Sequence, residues 1–165
     1  MMHADSLKFM RTMLGRIRRE DVRTVLDVGS LDVNGSYREL IESYGWQYTG
    51  LDVRPGRNVD VVSDDPFRFP FADDAFDVVI SGSTMEHVTR PWLWVPELAR
   101  VVRPSGLVAI VTHWSFEEHR YPLDCYRYLP DGMRELFDLA GTLGRYDIRI
   151  ASNTDIVASA IKVTE

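Results

Sequence analysis

Acidic and small residues follow the first strand-like segment of the chain in an order that suits a charged ligand. Asp27 lies within the apolar run 24–28, and Gly29, Ser30 and Asn34 follow it. In open α/β sheets, the junction of a strand, a glycine-containing loop and a helix binds nucleoside-type cofactors. Glycine lets the backbone approach a ligand closely, and free N–H groups at a helix start favour a carboxylate. The pattern predicts a site for an amino-acid group, with the Asp27 carboxylate facing its ammonium.

Two further acidic positions follow the next two strand-like runs. Asp52 ends the second run and precedes Val53, and a carboxylate at a strand tip is placed to bind both hydroxyls of a ribose. Asp64, Asp65 and Pro66 come directly after the third run. An acid there can accept a hydrogen bond from an adenine amino group while apolar neighbours hold the faces of the ring.

Each of these positions also has a purely structural interpretation. Asp27 could be an acceptor in a tight turn from strand to helix, and Asp52 could be a solvated loop acid. The segment 64–66 could be a simple turn, since Asp and Pro are common turn formers. The ligand site is favoured because the acids occur in order at the ends of consecutive strands.

The elements that must position these residues alternate between helix and strand. A helix is expected at 6–20 because Leu7, Met10, Leu14 and Ile17 recur at helical spacing. Further helices are expected at 36–45, 92–102 and 133–140, and strands at 24–28, 48–52, 59–62, 76–81, 107–112, 146–150 and 155–163. This order predicts an α/β fold, a three-layer sandwich whose mostly parallel sheet ends in an antiparallel C-terminal hairpin.

The link between the second and third strands is too short for the usual crossover. Only residues 54–58 lie between the two runs, whereas a parallel crossover normally needs about a dozen residues or more. We therefore expect the helix between strands two and three to be missing, and the third strand to be short or poorly paired.

The segment from Phe69 to Gly106 carries the most specific pattern, FPFADDAFDVVISGSTMEHVTRPWLWVPELARVVRPSG. It resembles the Rossmann-like class I S-adenosylmethionine-dependent methyltransferases of the type 11 kind. Their order is LPF-x-D-x-x-FD-x-V, then a Glu-His pair, then an E-x-x-RV-x-(R/K)-P-x-G turn. Together with the first loop and Asp52, the likeness runs through residues 24–112. The set is specific, whereas each piece alone is weak.

The resemblance implies S-adenosylmethionine as the methyl donor and S-adenosylhomocysteine as the product. Asp27, Gly29 and Ser30 would hold the methionine end, and Asp52 would bind the ribose. The whole predicted cofactor site comprises Asp27, Gly29, Ser30, Asn34, Asp52, Val53, Asp64, Asp65, Pro66, Ser81 and Gly82. Within it, Asp65 is preferred to Asp64 for adenine, and residues 81–82 would offer backbone groups after the fourth strand.

The likeness narrows to a subgroup with a Val-Asn-Gly-Ser loop. The segments DVGSLDVNGSYREL and GLDVRPGRNVDVV resemble that subgroup, whose short Pro-Gly link accounts for the missing helix. The segment HRYPLDCYRYLPDGMRELF is similar to the tail of methyltransferases often found near sugar and polysaccharide pathways. The usual D-x-G-x-G-x-G loop is altered, because Gly35 comes late, and this leaves the path of the loop open.

Histidines are the candidate catalytic residues on the acceptor side. Methyl transfer requires an aligned donor and nucleophile, and a neutral hydroxyl also needs a base, for which histidine has a suitable pKa. His113 ends the fifth strand, at the edge where such sheets place ligands, and His119 lies in the next loop. His87, beside Glu86, matches a family pattern that often supports the loop. A structural or surface role is the alternative for each histidine.

The loop after the fifth strand is rich in acidic and aromatic residues. Glu117, Glu118, His119 and Asp124 match no defined spacing for Mg²⁺ or another ion, so no metal is predicted. The aromatic residues between 114 and 128 would line a substrate pocket or pack over the sheet edge.

Composition limits the remaining classes. The 165 residues fit one domain, 1–165, with a cofactor-binding core at 24–112 and an acceptor side at 113–165. A net charge of -6 gives no support to a nucleic-acid partner, and no window is apolar enough for a membrane span. The single Cys125 and the lack of a signal-like N-terminus favour a cytoplasmic protein.

We therefore expect a methyltransferase that acts on a small molecule, with a hydroxyl of a sugar-like or natural-product acceptor preferred. A homodimer is one arrangement that would cover the acceptor pocket. The first alternative is a non-catalytic relative that keeps the fold and serves as a binding subunit. A nicotinamide-dependent oxidoreductase is disfavoured, because G-x-G-x-x-G is absent after the first strand.

Overall fold

A seven-stranded sheet and four α-helices make up the computed structural model, which describes residues 4–164. The strands are β1 (Thr24–Val28), β2 (Gln47–Asp52), β3 (Val61–Val62), β4 (Phe76–Gly82), β5 (Val102–His113), β6 (Leu143–Ile150) and β7 (Asp155–Lys162). The α-helices are α1 (Ala4–Leu14), α2 (Arg38–Glu42), α3 (Pro91–Val101) and α4 (Pro130–Leu139). Single 3-10 turns occur at Arg19–Asp21 and Met85–His87. Within residues 4–164, no helix is both long enough and apolar enough to cross a bilayer.

The strand order is β3-β2-β1-β4-β5-β7-β6. The first five strands in this order are parallel, and β7 runs antiparallel to both β5 and β6. The predicted α/β fold, with a mostly parallel sheet and a C-terminal antiparallel hairpin, is confirmed. The order reverses direction at β1, between β2 and β4, and ligands bind at such a switch point outside the carboxyl ends of the strands.

Successive residues of the central strands face opposite layers of the sandwich, because side chains alternate along a strand. Leu26 and Val79 belong to the core beneath α3 and α4. Val25 and Val78 belong to the core beneath α1 and α2. A strand buried on both faces must be apolar at every position, which explains why these segments read as continuous apolar runs.

The N-terminal helix is shorter than the 6–20 predicted from its spacing. It ends at Leu14, and the Gly15 N–H donates to the Thr12 carbonyl at 3.2 Å in a tightened last turn. The guanidinium of Arg16 then donates to Ser159 Oγ at 2.7 Å. This long-range anchor directs the chain onto β7, so tertiary contacts override the helical periodicity that continues to Ile17.

The link between β2 and β3 contains no helix, as predicted, and is pinned directly onto β2. Asp60 Oδ2 accepts from the Gly50 N–H at 2.7 Å, and the Asp60 N–H donates to the Gly50 carbonyl at 2.9 Å. A Cβ at Gly50 would lie 2.2 Å from the Asn58 carbonyl oxygen, so only glycine permits this approach. The third strand consequently retains only Val61–Val62 of the predicted 59–62.

Two residues of α3 tie down the segment that leads into β4. Glu97 Oε2 accepts from the Phe69 N–H at 2.8 Å. Arg100 donates to the Phe69 carbonyl at 3.1 Å and to the Phe71 carbonyl at 2.8 Å. The Glu-x-x-Arg spacing on one helix face therefore explains why this pair occurs together with the Phe-Pro-Phe segment.

Strand β5 begins earlier than the predicted 107–112. It includes the Pro104-Ser-Gly106 segment, where Ser105 has φ of 62°, and its register with β4 shifts between Phe76 and Val78. Between these two pairings β4 advances by two residues and β5 by five, from Val102 to Leu107, so β5 carries three extra residues in a large bulge that does not end the strand. The expected turn is thus absorbed into the strand.

Candidate functional site

A cleft of about 650 Å³ lies outside the carboxyl ends of the parallel strands. This volume is within the range of small-molecule pockets, roughly 300–1,000 Å³. The predicted site residues that line it are Asp27, Gly29, Ser30, Asn34, Asp52, Val53, Asp64, Asp65, Pro66, Gly82, His113 and His119. Ser81 does not line the cleft, because it is fully buried and its hydroxyl donates to the Val28 carbonyl at 2.7 Å.

Asp27 is a buried carboxyl, 3% exposed, near the end of β1. The hydroxyl of Tyr48 donates to its Oδ2 at 2.6 Å, and Asn58 Nδ2 donates to the Tyr48 oxygen at 2.8 Å. Burial raises the pKa of Asp27 to about 7, against the lowering effect of the Tyr48 hydrogen bond. A cationic ligand beside this carboxyl would supply the counter-charge that it lacks.

Asp52 ends β2 with its carboxylate held by the backbone on one side. Its Oδ2 accepts from the Leu31 N–H and its Oδ1 from the Arg54 N–H, both at 3.1 Å. A carboxylate oxygen has two lone pairs, so each oxygen keeps an acceptor site for a ligand hydroxyl. The two N–H groups fix the orientation in which those sites are presented.

Gly29 turns the chain sharply at the end of β1, with φ of +80°. Its N–H and that of Ser30 donate to the Leu51 carbonyl at 2.8 and 3.1 Å. A Cβ at Gly29 would lie 2.1 Å from Thr84 Oγ1. The missing side chain therefore makes room for Thr84, whereas the sequence suggested that it makes room for a ligand.

Ser30 borders the cleft, but its hydroxyl oxygen is buried. Its Oγ is buried and has no hydrogen-bond partner among the described residues. Buried polar groups are normally paired, and Ser30 lines the cleft. The hydroxyl oxygen itself lies against β2, 2.6 Å from the position that a Cβ at Gly50 would take, so Ser30 borders the cleft with other atoms.

Asp65 opens a turn that lines the cleft. Its Oδ1 accepts from the Phe67 N–H at 2.8 Å, and its carbonyl accepts from the Ser63 hydroxyl at 2.8 Å. Asp64 and the exposed Val53 also line the cleft. The turn interpretation and the ligand interpretation are thus compatible, because one carboxylate oxygen caps the turn and the other makes no hydrogen bond within residues 4–164.

Glu86 is the centre of a cluster with three histidines that line the cleft, His87, His113 and His119. It is 0% exposed, and its Oε2 accepts from the Thr112 hydroxyl at 2.7 Å. Its Oε1 lies 3.2 Å from His113 Nε2, 3.8 Å from His119 Nε2 and 3.9 Å from His87 Nε2. Burial acts to raise the pKa of Glu86, but the imidazoles of His119 and His113 outweigh it and hold that pKa below its usual value.

The other ring nitrogen of each histidine faces an oxygen acceptor. His113 Nδ1 lies 3.2 Å from Asp155 Oδ1, and His119 Nδ1 lies 3.0 Å from the Glu117 carbonyl. His87 Nδ1 lies 2.5 Å from the Leu123 carbonyl. The three imidazoles are therefore oriented alike, with Nδ1 outward and Nε2 toward Glu86.

Sequence reasoning missed the central position of Glu86 and the roles of Tyr48, Asn58 and Thr84. A partial signal for Glu86 was present, because the Glu86-His87 pair follows β4 and His113 ends β5, and these strands are neighbours. Carboxyl ends of neighbouring parallel strands meet at one edge. No comparable signal existed for Tyr48, whose hydroxyl crosses from β2 to β1.

Known proteins resemble this chain in sequence over half of its length or more. A family described as a methyltransferase domain matches residues 26–110, just over half of the chain. An uncharacterized methyltransferase of Mycobacterium avium (strain 104) is 36% identical over 99 residues, which are 53% of this chain and 38% of the relative. The 2-methyl-6-phytyl-1,4-hydroquinone methyltransferase of Synechocystis sp. is 32% identical over 127 residues, 70% of this chain and 39% of the relative.

The chain spans less than half the length of those two relatives. Among solved structures, the YcgJ protein of Bacillus subtilis superposes with a TM-score of 0.77 and 17% identity, covering 99% of this chain and 100% of that one. This likeness shows the fold, and the family match shows the membership. The chain therefore belongs to the methyltransferase domain family, and it shares the α/β fold of the YcgJ protein.

Proposed function

We propose that this chain binds S-adenosylmethionine in the cleft and transfers its methyl group to a hydroxyl of a small-molecule acceptor, sugar-like or a natural product. One observation carries the proposal. Asp27, Asp52 and Asp65 line the same cleft as His113 and His119. The acids suit an ammonium, a ribose and an adenine in that order, and the histidines suit an acceptor.

The cofactor roles follow from the chemistry at each position. Asp27 would face the ammonium of the methionine end, with the backbone of Ser30 and the backbone near Asn34 beside it. Asp52 would accept from the ribose hydroxyls through its two fixed oxygens. Asp65, or Asp64 next to it, would accept a hydrogen bond from the adenine amino group. The apolar side chains of Val53 and Pro66 would pack against the faces of the adenine ring. Gly82 would offer backbone groups near the sulfur. Ser81 would contribute only its backbone there, because its side chain is buried.

When bound, the cofactor supplies a methyl group on a cationic sulfur; the new oxygen–carbon bond forms as the carbon–sulfur bond breaks, and a neutral thioether leaves. The protein must hold the acceptor oxygen in line, exclude water and provide for the departing hydroxyl proton. His113 and His119 are proposed to activate the acceptor oxygen, because both line the acceptor end of the cleft. The rings of Phe116 and His113 stack with their centroids 4.5 Å apart, and this contact holds the imidazole of His113 in its orientation.

A small-molecule acceptor is supported by the size of the cleft and by one relative. The Synechocystis protein is named for a substituted hydroquinone, a small hydroxylated compound. Trp94, Phe116 and Tyr121 line the cleft here and suit an acceptor with apolar or ring faces. A single domain over 1–165, the Val-Asn-Gly-Ser subgroup, a homodimer and a cytoplasmic location stay predictions.

Turnover distinguishes this enzyme from a non-catalytic binding subunit. The protein is incubated with S-adenosylmethionine and a panel of hydroxylated sugars, phenols and polyketide-like compounds, and S-adenosylhomocysteine release is measured. We expect release above background with a subset of the panel. Binding of S-adenosylhomocysteine without turnover on any member would favour the binding subunit, for which the altered glycine loop is the motivation.

A further inference from the structure

We propose that Glu86, His113 and His119 form a binding site for a divalent first-row metal ion of the Zn²⁺ type at the acceptor end of the cleft. The existence of the site stands on the geometry of these three side chains. Its use in catalysis rests on the proposed methyltransferase function. The inference departs from the sequence prediction of no metal, which considered Glu117, Glu118, His119 and Asp124 as neighbours in the chain.

The three side chains already converge on a space of the right size. One potential ligand atom from each lies within 4.8 Å of the others, and Glu86 Oε1 is 3.2 Å from His113 Nε2. Zinc–ligand bonds of about 2.0–2.2 Å in tetrahedral geometry place ligand atoms about 3.4 Å apart. Rotamer adjustments that move an atom by roughly 1 Å would close the site.

Glu86 provides an independent sign that something binds there. Its Oε1 is buried and makes no hydrogen bond among the described residues, although three imidazole nitrogens surround it. The other oxygen is satisfied by Thr112. A buried carboxylate oxygen that accepts no hydrogen bond is destabilising, and an ion bound between Glu86 and the histidines would coordinate it.

The groups behind the histidines resemble those behind metal ligands in general. A ligating histidine almost always directs its other ring nitrogen to a carboxylate or a backbone carbonyl. His113 Nδ1 faces Asp155 Oδ1, and His119 Nδ1 faces the Glu117 carbonyl with Asp124 Oδ2 at 3.4 Å. His113 Nδ1 makes no hydrogen bond within residues 4–164, and with each Nδ1 protonated toward its oxygen each Nε2 would keep its lone pair for an ion.

Both outer carboxylates are themselves held in place. Asp155 Oδ2 accepts from the hydroxyls of Ser152 at 2.8 Å and Thr154 at 2.9 Å. Asp124 accepts from two nitrogens of Arg127 at 2.6 and 2.8 Å, and from the His119 N–H at 2.7 Å. The support therefore extends outward from the cluster, as expected for a site whose ligands must not rotate.

The position of the cluster gives the ion a chemical task. His113 and His119 line the cleft, so coordination positions not filled by protein would face the acceptor. Two imidazoles and one carboxylate suit Zn²⁺ with open positions. An acceptor hydroxyl bound there would have its pKa lowered, would lose its proton to water at the mouth of the cleft, and would attack the methyl carbon as an alkoxide.

Titration of Zn²⁺ into untagged, chelator-stripped protein tests the site by calorimetry. We expect one ion per chain, with the affinity reduced ~100-fold or more in Glu86→Gln and His119→Ala, since loss of even an outer partner costs 10–100-fold. Glu118→Gln is the matched control, because this exposed carboxylate in the same loop pairs with Arg120 and lies outside the cluster. Its affinity should equal that of the wild type.

Circular dichroism identifies variants that fail to fold. His119 is 33% exposed in its side chain on a surface loop, so His119→Ala keeps the test decisive if the buried Glu86→Gln does not fold. No stoichiometric Zn²⁺ binding by folded wild type, or equal affinity in His119→Ala, would overturn the metal site. Binding of S-adenosylhomocysteine is measured on the stripped protein, so a failure of the metal site and a failure of the proposed function give different results.

Discussion

The hydroxyl of Tyr48 on β2 donates a 2.6 Å hydrogen bond to Asp27 Oδ2 on β1. Tyr48 is paired with Val25 in the sheet, and Asp27 is paired with Gly50. The Tyr48 hydroxyl therefore reaches the residue two positions beyond its own partner on β1. Burial, followed by the charge of Asp27, raises the pKa of Tyr48, so this residue stays a donor. The pair places a neutral or ionised carboxyl beside the cleft, according to pH.

Asp27 makes the stability of the ligand-free protein fall as pH rises. Its pKa is about 7 in the folded state and near 4 when unfolded. Between these two pKa values the folded state therefore binds one more proton than the unfolded state does. The free energy of unfolding consequently falls as the pH rises from about 4 to about 7. Relative to Asp27→Asn, the wild type should lose about 3 kcal/mol of unfolding free energy between pH 5 and pH 8. Urea unfolding of both proteins at the two pH values measures this difference, and a constant difference would contradict the assigned pKa.

Asp52→Asn should weaken S-adenosylhomocysteine binding by about 10- to 100-fold, since a hydrogen bond to a charged group contributes roughly 1.5–3 kcal/mol. The amide oxygen still accepts from one of the N–H groups of Leu31 and Arg54, so the loop should keep its path. Asp147→Asn is the control, because Asp147 is a half-exposed acid paired with Arg149 on β6. Calorimetry on the three proteins gives the comparison; equal affinities would remove Asp52 from the site.

Gly29→Ala should destabilise the fold by about 2 kcal/mol or more. The new methyl group would meet Thr84 at a residue whose φ is +80°, and both the clash and the left-handed backbone are unfavourable. Gly132→Ala is the matched control, because nothing lies within 4 Å of its Cβ position in α4. In that helix alanine should add up to about 1 kcal/mol. Thermal and urea unfolding of the two variants should move in opposite directions.

Arg100→Lys should cost about 2 kcal/mol, since lysine lacks the fork that reaches several acceptors at once. Arg100 binds Glu97 and the carbonyls of Phe69 and Phe71, and its side chain is 15% exposed. Arg134→Lys removes a comparable pair with Asp131 at the surface and should change stability by less than about 0.5 kcal/mol. Equal effects would show that the Phe69–Phe71 segment does not depend on this arginine.

The strands and the acids at their ends could be predicted from the sequence for a physical reason. Parallel strands buried on both faces need continuous apolar runs, and Asp27, Asp52 and Asp65 interrupt or follow such runs at one edge. The short link at 54–58 likewise excluded a crossover helix. Element ends were less accessible, because the Arg16 anchor on Ser159 and the bulge near Ser105 depend on contacts distant in sequence.

The cluster around Glu86 is the part of the site that could not be predicted from the sequence. Glu86, His113 and His119 come from a 3-10 turn, a strand end and a loop, and only the parallel pairing of β4 and β5 brings them together. His113 and His119 were recognised individually as candidate bases. Their common orientation toward one carboxylate oxygen depends on Asp155 and on backbone carbonyls, which no spacing along the chain reveals.

Calorimetric titration with S-adenosylhomocysteine is the most direct test of whether the cleft is a site for S-adenosylmethionine. We expect saturable one-to-one binding to the wild type, weaker binding to Asp52→Asn, and no comparable binding of NAD. An absence of heat at millimolar S-adenosylhomocysteine in folded protein, or preferential binding of NAD, would contradict the assignment of the cleft.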